Sequence, residues 1–330
     1  MVHSAPLVLP ICEEPIREGG VAVRGDRVLQ VGPRATVLSA FPRAAETRWP
    51  GMITPGLVDA CFPASPPAPG VTAAATVVAE PGCSVVLGGV TYIAVRSESE
   101  EEWEDIGRDA LITAIREVDV PGAVGIAAHT GDLVVLEDLA VLARTFGLRI
   151  LVDLERHSVT TLDEAGALGP HCHVACACGL TPGERKLLRL RKSVVAVCPA
   201  LRPEDALPLL DEGSPIALGS RGGGSLLAQA GKLREHARGR GARATGLDRR
   251  LVGAATLGGA RALGMDTGPG RLGVLAPGAR ADLAVFDARG RYPYAALLAG
   301  PPCLGTVAGG APHLPPVSAS GLVDQREQLA

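Results

Sequence analysis

The chain has 330 residues, of which 47% are hydrophobic and 20% are charged, and its formal net charge is −3. This balance predicts a globular protein with a sizeable core and excludes intrinsic disorder. A pI near 6.2 and an aromatic content of only 3% exclude nucleic acid as a partner. The chain contains no apolar run of about eighteen residues and no secretory signal pattern, so we expect no membrane contact and a cytoplasmic location.

The cysteine content agrees with that compartment, and the lysine content indicates the kind of genome. Eight cysteines in a chain of this length are expected to be reduced thiols, because their spacing is not that of a small disulfide scaffold. Lysine is scarce beside arginine, while Ala, Gly and Pro are abundant, as in proteins from GC-rich bacterial genomes.

Both ends of the chain carry short β-like runs. Near the N-terminus three apolar runs alternate with Glu, Pro and Gly, at residues 7–9, 20–23 and 27–31. The C-terminal end repeats this style at 271–275 and 281–286, around a Pro277-Gly278 turn. We therefore predict a composite β-domain made of residues 1–54 and 270–312, followed by a disordered tail at 313–330.

The middle of the chain alternates strand-like runs with helical patterns. Eight runs are apolar on both faces, at residues 57–60, 76–78, 90–95, 125–127, 149–152, 173–175, 194–197 and 215–218. Such runs are typical of parallel strands that are buried on both sides. They predict an α/β fold with a (β/α)8 barrel over residues 55–269.

Two of the intervening helices have clear start signals. Thr181, Pro182 and Glu184 form a capping-box pattern with proline at the first helical position. The acidic residues at 98–104 suit the first turn of a helix over 101–117, where they complement the helix dipole.

Three segments carry a resemblance to a known family. Residues 50–60 resemble the entry to the first barrel strand of the amidohydrolase superfamily, and residues 273–287 resemble its return into the β-domain. Residues 254–264 resemble the helix before that return. The chain is most similar to the branch that contains imidazolonepropionase, aminodeoxyfutalosine deaminase and chlorohydrolases. The resemblance implies hydrolysis of non-peptide C–N bonds by a metal-activated water at the barrel mouth.

The expected metal ligands are missing from the first half of the barrel. The family's His-x-His pair after the first strand falls on Cys61 and Pro63. A later ligand histidine falls on Asp153, and Arg156 lies near the place of a catalytic glutamate. Arginine cannot carry protons at neutral pH, so this half of the site is degenerate.

The family's ligands are also replaced in the second half of the barrel. Two family histidines fall on Cys176 and Gly179, and the aspartate that acts as general base falls on Arg221. A guanidinium repels a cation and offers it no lone pair. The segment 64–69 is also too short for a loop and a helix, which predicts a distorted or truncated barrel.

His129 follows a barrel strand where the family has a histidine that contacts substrate. We predict a substrate-binding role for it, against the alternative of a histidine satisfied by hydrogen bonds at the mouth. His157, His171 and His173 are outside the register of the family ligands and are interpreted as structural.

No catalytic residue is assigned and no cofactor is expected, although the family normally holds zinc or iron. The alternative is a rearranged metal site made by Cys61, Asp153, Cys176 and Cys178. The glycines at 219–224 with Arg221 could suggest a phosphate loop, but they match neither the P-loop nor the dinucleotide pattern.

Three hypotheses about function follow. The first is a catalytically impaired amidohydrolase-like protein that binds a small molecule or a protein partner. The second is an active C–N hydrolase or deaminase that uses the rearranged Cys/Asp metal site. The third is a chiefly structural role, as the inactive subunit of an assembly with an active relative. The sequence is compatible with a homo-oligomer or a hetero-oligomer.

Overall fold

A computed structural model describes residues 1–61, 67–79, 87–117, 122–175, 179–199, 204, 206–221, 224–241 and 246–312. Four of our predictions fall outside these residues: those for Pro63, Cys176, Cys178 and the tail at 313–330. No helix in the described part of the chain is long and apolar enough to cross a membrane.

The first sheet is built from both ends of the chain. Its strands are β1 Val2–Val8, β2 Ile16–Arg24, β3 Arg27–Pro33, β4 Glu46–Arg48, β5 Met52–Pro55, β14 Leu283–Phe286, β15 Cys303–Ala308 and β16 Ala311–Pro312. The order is β16-β15-β14-β5-β1-β2-β3, with β4 beside β1. The two ends meet where β14 runs antiparallel to β5, with Val285 opposite Ile53. This confirms that the β-domain is composite.

One predicted strand is wrong. Residues 271–275 form no strand, although their sequence is apolar and is followed by the expected turn at Pro277. Gly273 has a φ of +77°, and a Cβ atom there would lie 2.6 Å from the Cα of Leu257. The backbone therefore turns against the neighbouring helix instead of extending.

The second sheet is the barrel. Its strands are β6 Leu57–Asp59, β7 Val71–Val78, β8 Gly88–Val95, β9 Ala123–Ala128, β10 Arg149–Asp153, β11 Cys172–Ala175, β12 Val194–Val197 and β13 Ile216–Leu218. They are parallel and adjacent in chain order. Ala60 N donates to Leu218 O at 3.0 Å, which links the first strand to the last. The predicted (β/α)8 TIM-like barrel with a separate β-domain is confirmed.

Helices surround the barrel and flank the sheet. They are α1 Arg34–Ala40, α2 Glu100–Glu102, α3 Arg108–Glu117, α4 Leu133–Phe146, α5 Val159–Glu164, α6 Pro182–Arg191, α7 Ala206–Asp211, α8 Leu226–Gly239, α9 Leu247–Gly253, α10 Gly259–Ala262 and α11 Pro293–Leu297. π-helical turns at Trp103–Gly107 and Ala254–Gly258 join α2 to α3 and α9 to α10. The capping box at Thr181 is present, with Glu184 as its second member.

The β-domain packs against the barrel beside strand β7. In the described residues, neither the link from β6 to β7 nor the link from β7 to β8 contains a helix. Phe286 of β14 lies against the backbone of Gly70, because a Cβ atom there would be 2.8 Å from its Cζ. Gly70 N also donates to Thr306 Oγ1 at 3.2 Å. The sheet therefore covers a side of the barrel that helices cover elsewhere.

Candidate functional site

The carboxyl ends of the barrel strands form the mouth, and Asp59 closes one side of it. Asp59 is the last residue of β6 and is 1% exposed. Its Oδ1 accepts from Cys61 N and from Ser220 N, each at 3.1 Å, and its Oδ2 accepts from Ser220 Oγ. Burial raises the pKa of Asp59, and these donors oppose that rise. Asp59 therefore joins the first strand to the segment after the last.

Cys61 is fully buried beside this junction. A Cβ atom on Gly219 would lie 2.0 Å from the Cβ of Cys61, so the cysteine side chain packs directly against the Gly219 backbone. The cysteines at 12, 172 and 303 are free thiols. The expectation of reduced cysteines holds for these three.

Arg221 crosses the mouth from the end of β13 to the end of β10. Its Nη1 lies 3.9 Å from Asp153 Oδ2 and 3.6 Å from Glu155 Oε1. Asp153 is 8% exposed and its Oδ1 also accepts from Glu155 N at 2.8 Å. The sequence predicted that Asp153 and Arg221 lie at one mouth, and the structure brings their charged groups together.

His129 follows β9 and is half-buried at the same mouth. Its backbone N donates to Val95 O at 2.9 Å, which ties it to the end of β8. Burial is the main cause that lowers the pKa of His129, and the charges of Arg156, Arg96 and Arg221 lower it further. The charges that act on this imidazole are therefore those of arginines.

Thr130 and His157 fix the loop that carries His129. Thr130 Oγ1 donates to Ser97 O at 2.7 Å, and Thr130 O lies 2.9 Å from His157 Nε2. His157 is 8% exposed, which agrees with the structural role that we predicted for it.

The other two replaced positions lie at the rim. Arg156 is exposed, and its backbone N donates to Asp153 O at 3.3 Å. Gly179 is exposed with a φ of +58°, two residues before the N-cap Thr181 of α6. A left-handed backbone at this point suits a turn and supplies no side-chain ligand.

The described part of the mouth does not fit a divalent metal. Among the residues that the structure describes, no three His, Cys, Asp or Glu side chains are grouped closely enough to hold an ion. Asp153 instead faces the guanidinium of Arg221, which repels a cation. Cys176 and Cys178 lie outside these residues, so the rearranged site stays a prediction.

Comparison of the sequence with family models decides the family. The amidohydrolase family model matches residues 100–314, and the bacterial imidazolonepropionase-like composite domain matches residues 19–44. The chain belongs to the amidohydrolase family. The two matches agree with the resemblance found at both ends of the sequence. A search of curated proteins finds no match.

Solved structures with the same fold include deaminases and a chlorohydrolase. A zinc-bound adenosine deaminase from Xanthomonas campestris is 18% identical, with a TM-score of 0.75 over 95% of this chain and 92% of that one. Zinc-complexed atrazine chlorohydrolase from Arthrobacter aurescens TC1 is 15% identical, with a TM-score of 0.75 over 94% of each. E. coli guanine deaminase is 14% identical, with a TM-score of 0.78 over 95% of this chain and 98% of that one.

These structures correct one prediction about this amidohydrolase. We expected no cofactor, and that expectation is contradicted, because two similar structures hold zinc. That expectation rested only on the residues that replace the family's metal ligands. Ligands from other segments of the chain are not excluded by those replacements. Zinc is therefore carried into the proposals and experiments below.

The sequence reasoning missed three residues at the mouth: Arg96, Asp59 and Ser220. Arg96 comes directly after β8, as His129 comes directly after β9. The residue that follows each barrel strand is therefore a signal that could have found Arg96. Asp59 and Ser220 contact each other across the barrel closure, and nothing in their spacing predicts this contact.

Proposed function

We propose that this amidohydrolase binds a small anionic ligand at the mouth of its barrel, and that hydrolysis by the family's standard mechanism is impaired. The observation that carries the proposal is the position of Arg221, which faces Asp153 and Glu155 at 3.9 and 3.6 Å. Arginine stays protonated at neutral pH, so it cannot take a proton from an attacking water. It also offsets the negative charge that would attract a cation.

The charges around His129 support an anionic ligand. Arg156, Arg96 and Arg221 are all near enough to lower the pKa of this imidazole. Arg96 and Arg156 are exposed, so their guanidinium groups are accessible to a ligand. Guanidinium groups bind carboxylate and phosphate through paired, charge-assisted hydrogen bonds.

The rest of the ligand is argued from the relatives. The names of the three similar enzymes refer to adenosine, guanine and atrazine, and each of these compounds contains a nitrogen heterocycle. We therefore propose a small nitrogen heterocycle that carries a carboxylate or phosphate group. His129 would contact the ring and the arginines would contact the anionic group.

A second candidate is an active zinc-dependent C–N hydrolase with a rearranged site. The zinc in two similar structures favours it. Cys61 and Asp153 would be two ligands, and Cys176 and Cys178 would complete the set. This candidate predicts that chelation abolishes hydrolysis and that Cys176→Ala does the same.

Calorimetric titration with orotate and uracil tests the first candidate, since these heterocycles differ by one carboxylate. We expect orotate to bind about tenfold more tightly than uracil, the effect of one charge-assisted hydrogen-bonded pair. Arg156→Gln and Arg221→Gln should each weaken orotate about tenfold. Arg289→Gln is the matched control, because this arginine is 72% exposed beside Asp287 in the β-domain.

Two outcomes would contradict the first candidate. One is equal binding of orotate and uracil, and the other is unchanged orotate binding in both arginine variants. Elemental analysis of the same untagged samples measures zinc. Stoichiometric zinc together with chelation-sensitive hydrolysis would support the second candidate instead.

A further inference from the structure

A cavity of about 510 Å³ lies at the opposite end of the barrel from the mouth. Its wall includes the starts of β9 and β10, the residue before β11, and the segment after α10. This volume is typical of a site for a small molecule. The titratable side chains that line it are two arginines, Arg144 and Arg149, and His171.

Arg149 is held at this end by few partners. Its Nη1 donates to Pro170 O at 3.1 Å. Its Nε and Nη2 are buried and have no partner at normal hydrogen-bond distance in the described structure. The guanidinium nevertheless acts on the Tyr92 hydroxyl inside the barrel, through its charge and through a hydrogen bond. Its Nη1 lies on the backbone of Gly264, where a Cβ atom would be 2.7 Å away. Among the described residues, the partners of this cation are therefore neutral groups.

His171 and Arg144 line the same cavity. The Nε2 of His171 is buried and has no hydrogen-bond partner in the described structure. Burial is the main cause that lowers its pKa, followed by the charges of Arg144 and Arg149. Arg144 donates to the carbonyl of Gly166 at 2.5 Å.

The described residues provide no counter-charge at this end of the barrel. Neither Arg144 nor Arg149 belongs to any ion pair between described side chains, whereas arginines such as Arg185 and Arg191 pair with carboxylates. Inside the barrel burial raises the pKa of Tyr92 to about 12, although the charge of Arg149 opposes this rise, so Tyr92 is neutral at neutral pH and is no counter-charge for Arg149. Tyr92 Oη also lies 3.3 Å from His173 Nδ1.

We propose that this cavity binds a small oxyanion, the phosphate or carboxylate group of a metabolite. An oxygen of this group would accept from Nη1 of Arg149, with Arg144 and His171 as the other contacts. Leu148, Leu263 and Met265 line the rest of the cavity and would contact the apolar part of the ligand. This cavity is separate from the mouth, and the proposal does not depend on the function proposed for the mouth.

NMR of the histidine rings tests this site. The intact chain is titrated with sodium phosphate, sodium acetate or sodium chloride at equal ionic strength, and the His171 signal is assigned with His171→Gln. We expect a saturable shift of the His171 signal with phosphate, acetate or both, and none with chloride. Which of the two oxyanions binds distinguishes a phosphate ligand from a carboxylate ligand.

Substitutions then locate the binding. Arg149→Gln should weaken oxyanion binding about tenfold, the effect of one charge-assisted pair. Arg144→Gln should also weaken it, and this exposed position will tolerate substitution if Arg149→Gln does not fold. Arg238→Gln, an exposed arginine in the last turn of α8, is the control and should bind as the wild type does.

Three results would overturn the proposal. The first is no shift of His171 with either oxyanion beyond that with chloride. The second is binding by Arg144→Gln and Arg149→Gln that equals the wild type. The third is a shift confined to His129, which would place the oxyanion at the mouth.

Discussion

His3 lies in β1 with 3% of its surface exposed, and its Nδ1 is 3.2 Å from Trp49 Nε1, which donates to it. Burial, and then the N-terminal ammonium group, lower the pKa of His3 from 6.5 to about 4. The unfolded chain therefore takes up this proton at a higher pH than the folded protein does. Stability from this residue is complete above pH 6.5 and is lost as the pH falls toward 4.

His3→Gln should remove that part of the acid sensitivity. Glutamine keeps an acceptor for Trp49 and does not titrate. We expect the difference in unfolding free energy between neutral pH and pH 4 to shrink by about 3 kcal/mol. Urea unfolding at a series of pH values measures it, and an unchanged pH dependence would contradict the role of His3.

Substitution of Asp59 tests the contact that closes the barrel between its first and last strands. Asp59→Ala removes the acceptor of three hydrogen bonds and leaves two buried backbone donors unsatisfied. We expect a loss of about 3 kcal/mol in unfolding free energy, since each buried unsatisfied donor costs about 1–3 kcal/mol. Denaturant unfolding at neutral pH measures the loss.

Ser220→Ala is the matched control for Asp59. It removes only the hydroxyl donor and keeps both backbone donors to the carboxylate. The expected loss is about 1 kcal/mol. Equal losses for Asp59→Ala and Ser220→Ala would show that the carboxylate does not hold the closure.

At the scale of elements, α4 positions the loop that contains His129. Asp132 caps this helix, because its Oδ1 accepts from Val134 N at 2.8 Å and from Val135 N at 3.1 Å. Asp132→Ala should therefore lower the unfolding free energy by about 1 kcal/mol. Thermal unfolding checks it, and Asp132→Asn, which keeps the acceptor, should lose less than the alanine variant.

The elements themselves were largely predictable. All eight barrel strands were found because each is an apolar run bounded by polar or turn-forming residues, and α6 was found from its capping box. The run at 271–275 was wrong, because an apolar pattern does not reveal that Gly273 must turn against Leu257. Local patterns report burial, whereas close backbone contacts depend on the tertiary fold.

The site was less predictable than the elements. The sequence placed Asp153, Arg221 and His129 at one mouth, because each follows or ends a barrel strand. It did not show that Arg221 pairs with Asp153, nor that Arg96 acts on His129. These interactions join distant parts of the chain, and their distances follow only from the closed barrel. The expectation of no cofactor, which rested on the replaced ligand positions, was also wrong. A local sequence does not show which distant residues come together in the fold.

On the scale of the whole molecule, the β-domain and the barrel share one core. Phe286 is 1% exposed and belongs to the same apolar cluster as Val71, Ala74 and Ile126 of the barrel. Because side chains of the sheet and of the barrel pack directly against each other here, the stability of the two parts should be coupled. Unfolding should then be a single transition.

Phe286→Ala tests the coupling. Loss of this buried ring should cost about 3–5 kcal/mol and lower the melting temperature of the sheet and the barrel together. Scanning calorimetry measures it, with Tyr292→Ala as control because Tyr292 is 69% exposed. Separate transitions for the two parts would contradict the shared core.

Two groups of arginines lie at the two ends of the barrel. Arg96, Arg156 and Arg221 lie at the mouth, and Arg144 and Arg149 lie at the opposite end. The chain nevertheless has a net charge of −3, so these cations are local features. Local positive potential of this kind attracts small anions even to an acidic protein.

The pKa of the His129 imidazole tests the central claim most directly, because it reports the charge at the mouth. NMR titration of the wild type should give a value below 6.5, and the double substitution Arg156→Gln and Arg221→Gln should raise it. Orotate bound to the wild type should raise it as well. A wild-type pKa at or above 6.5 that neither change moves would contradict an arginine-lined anion site.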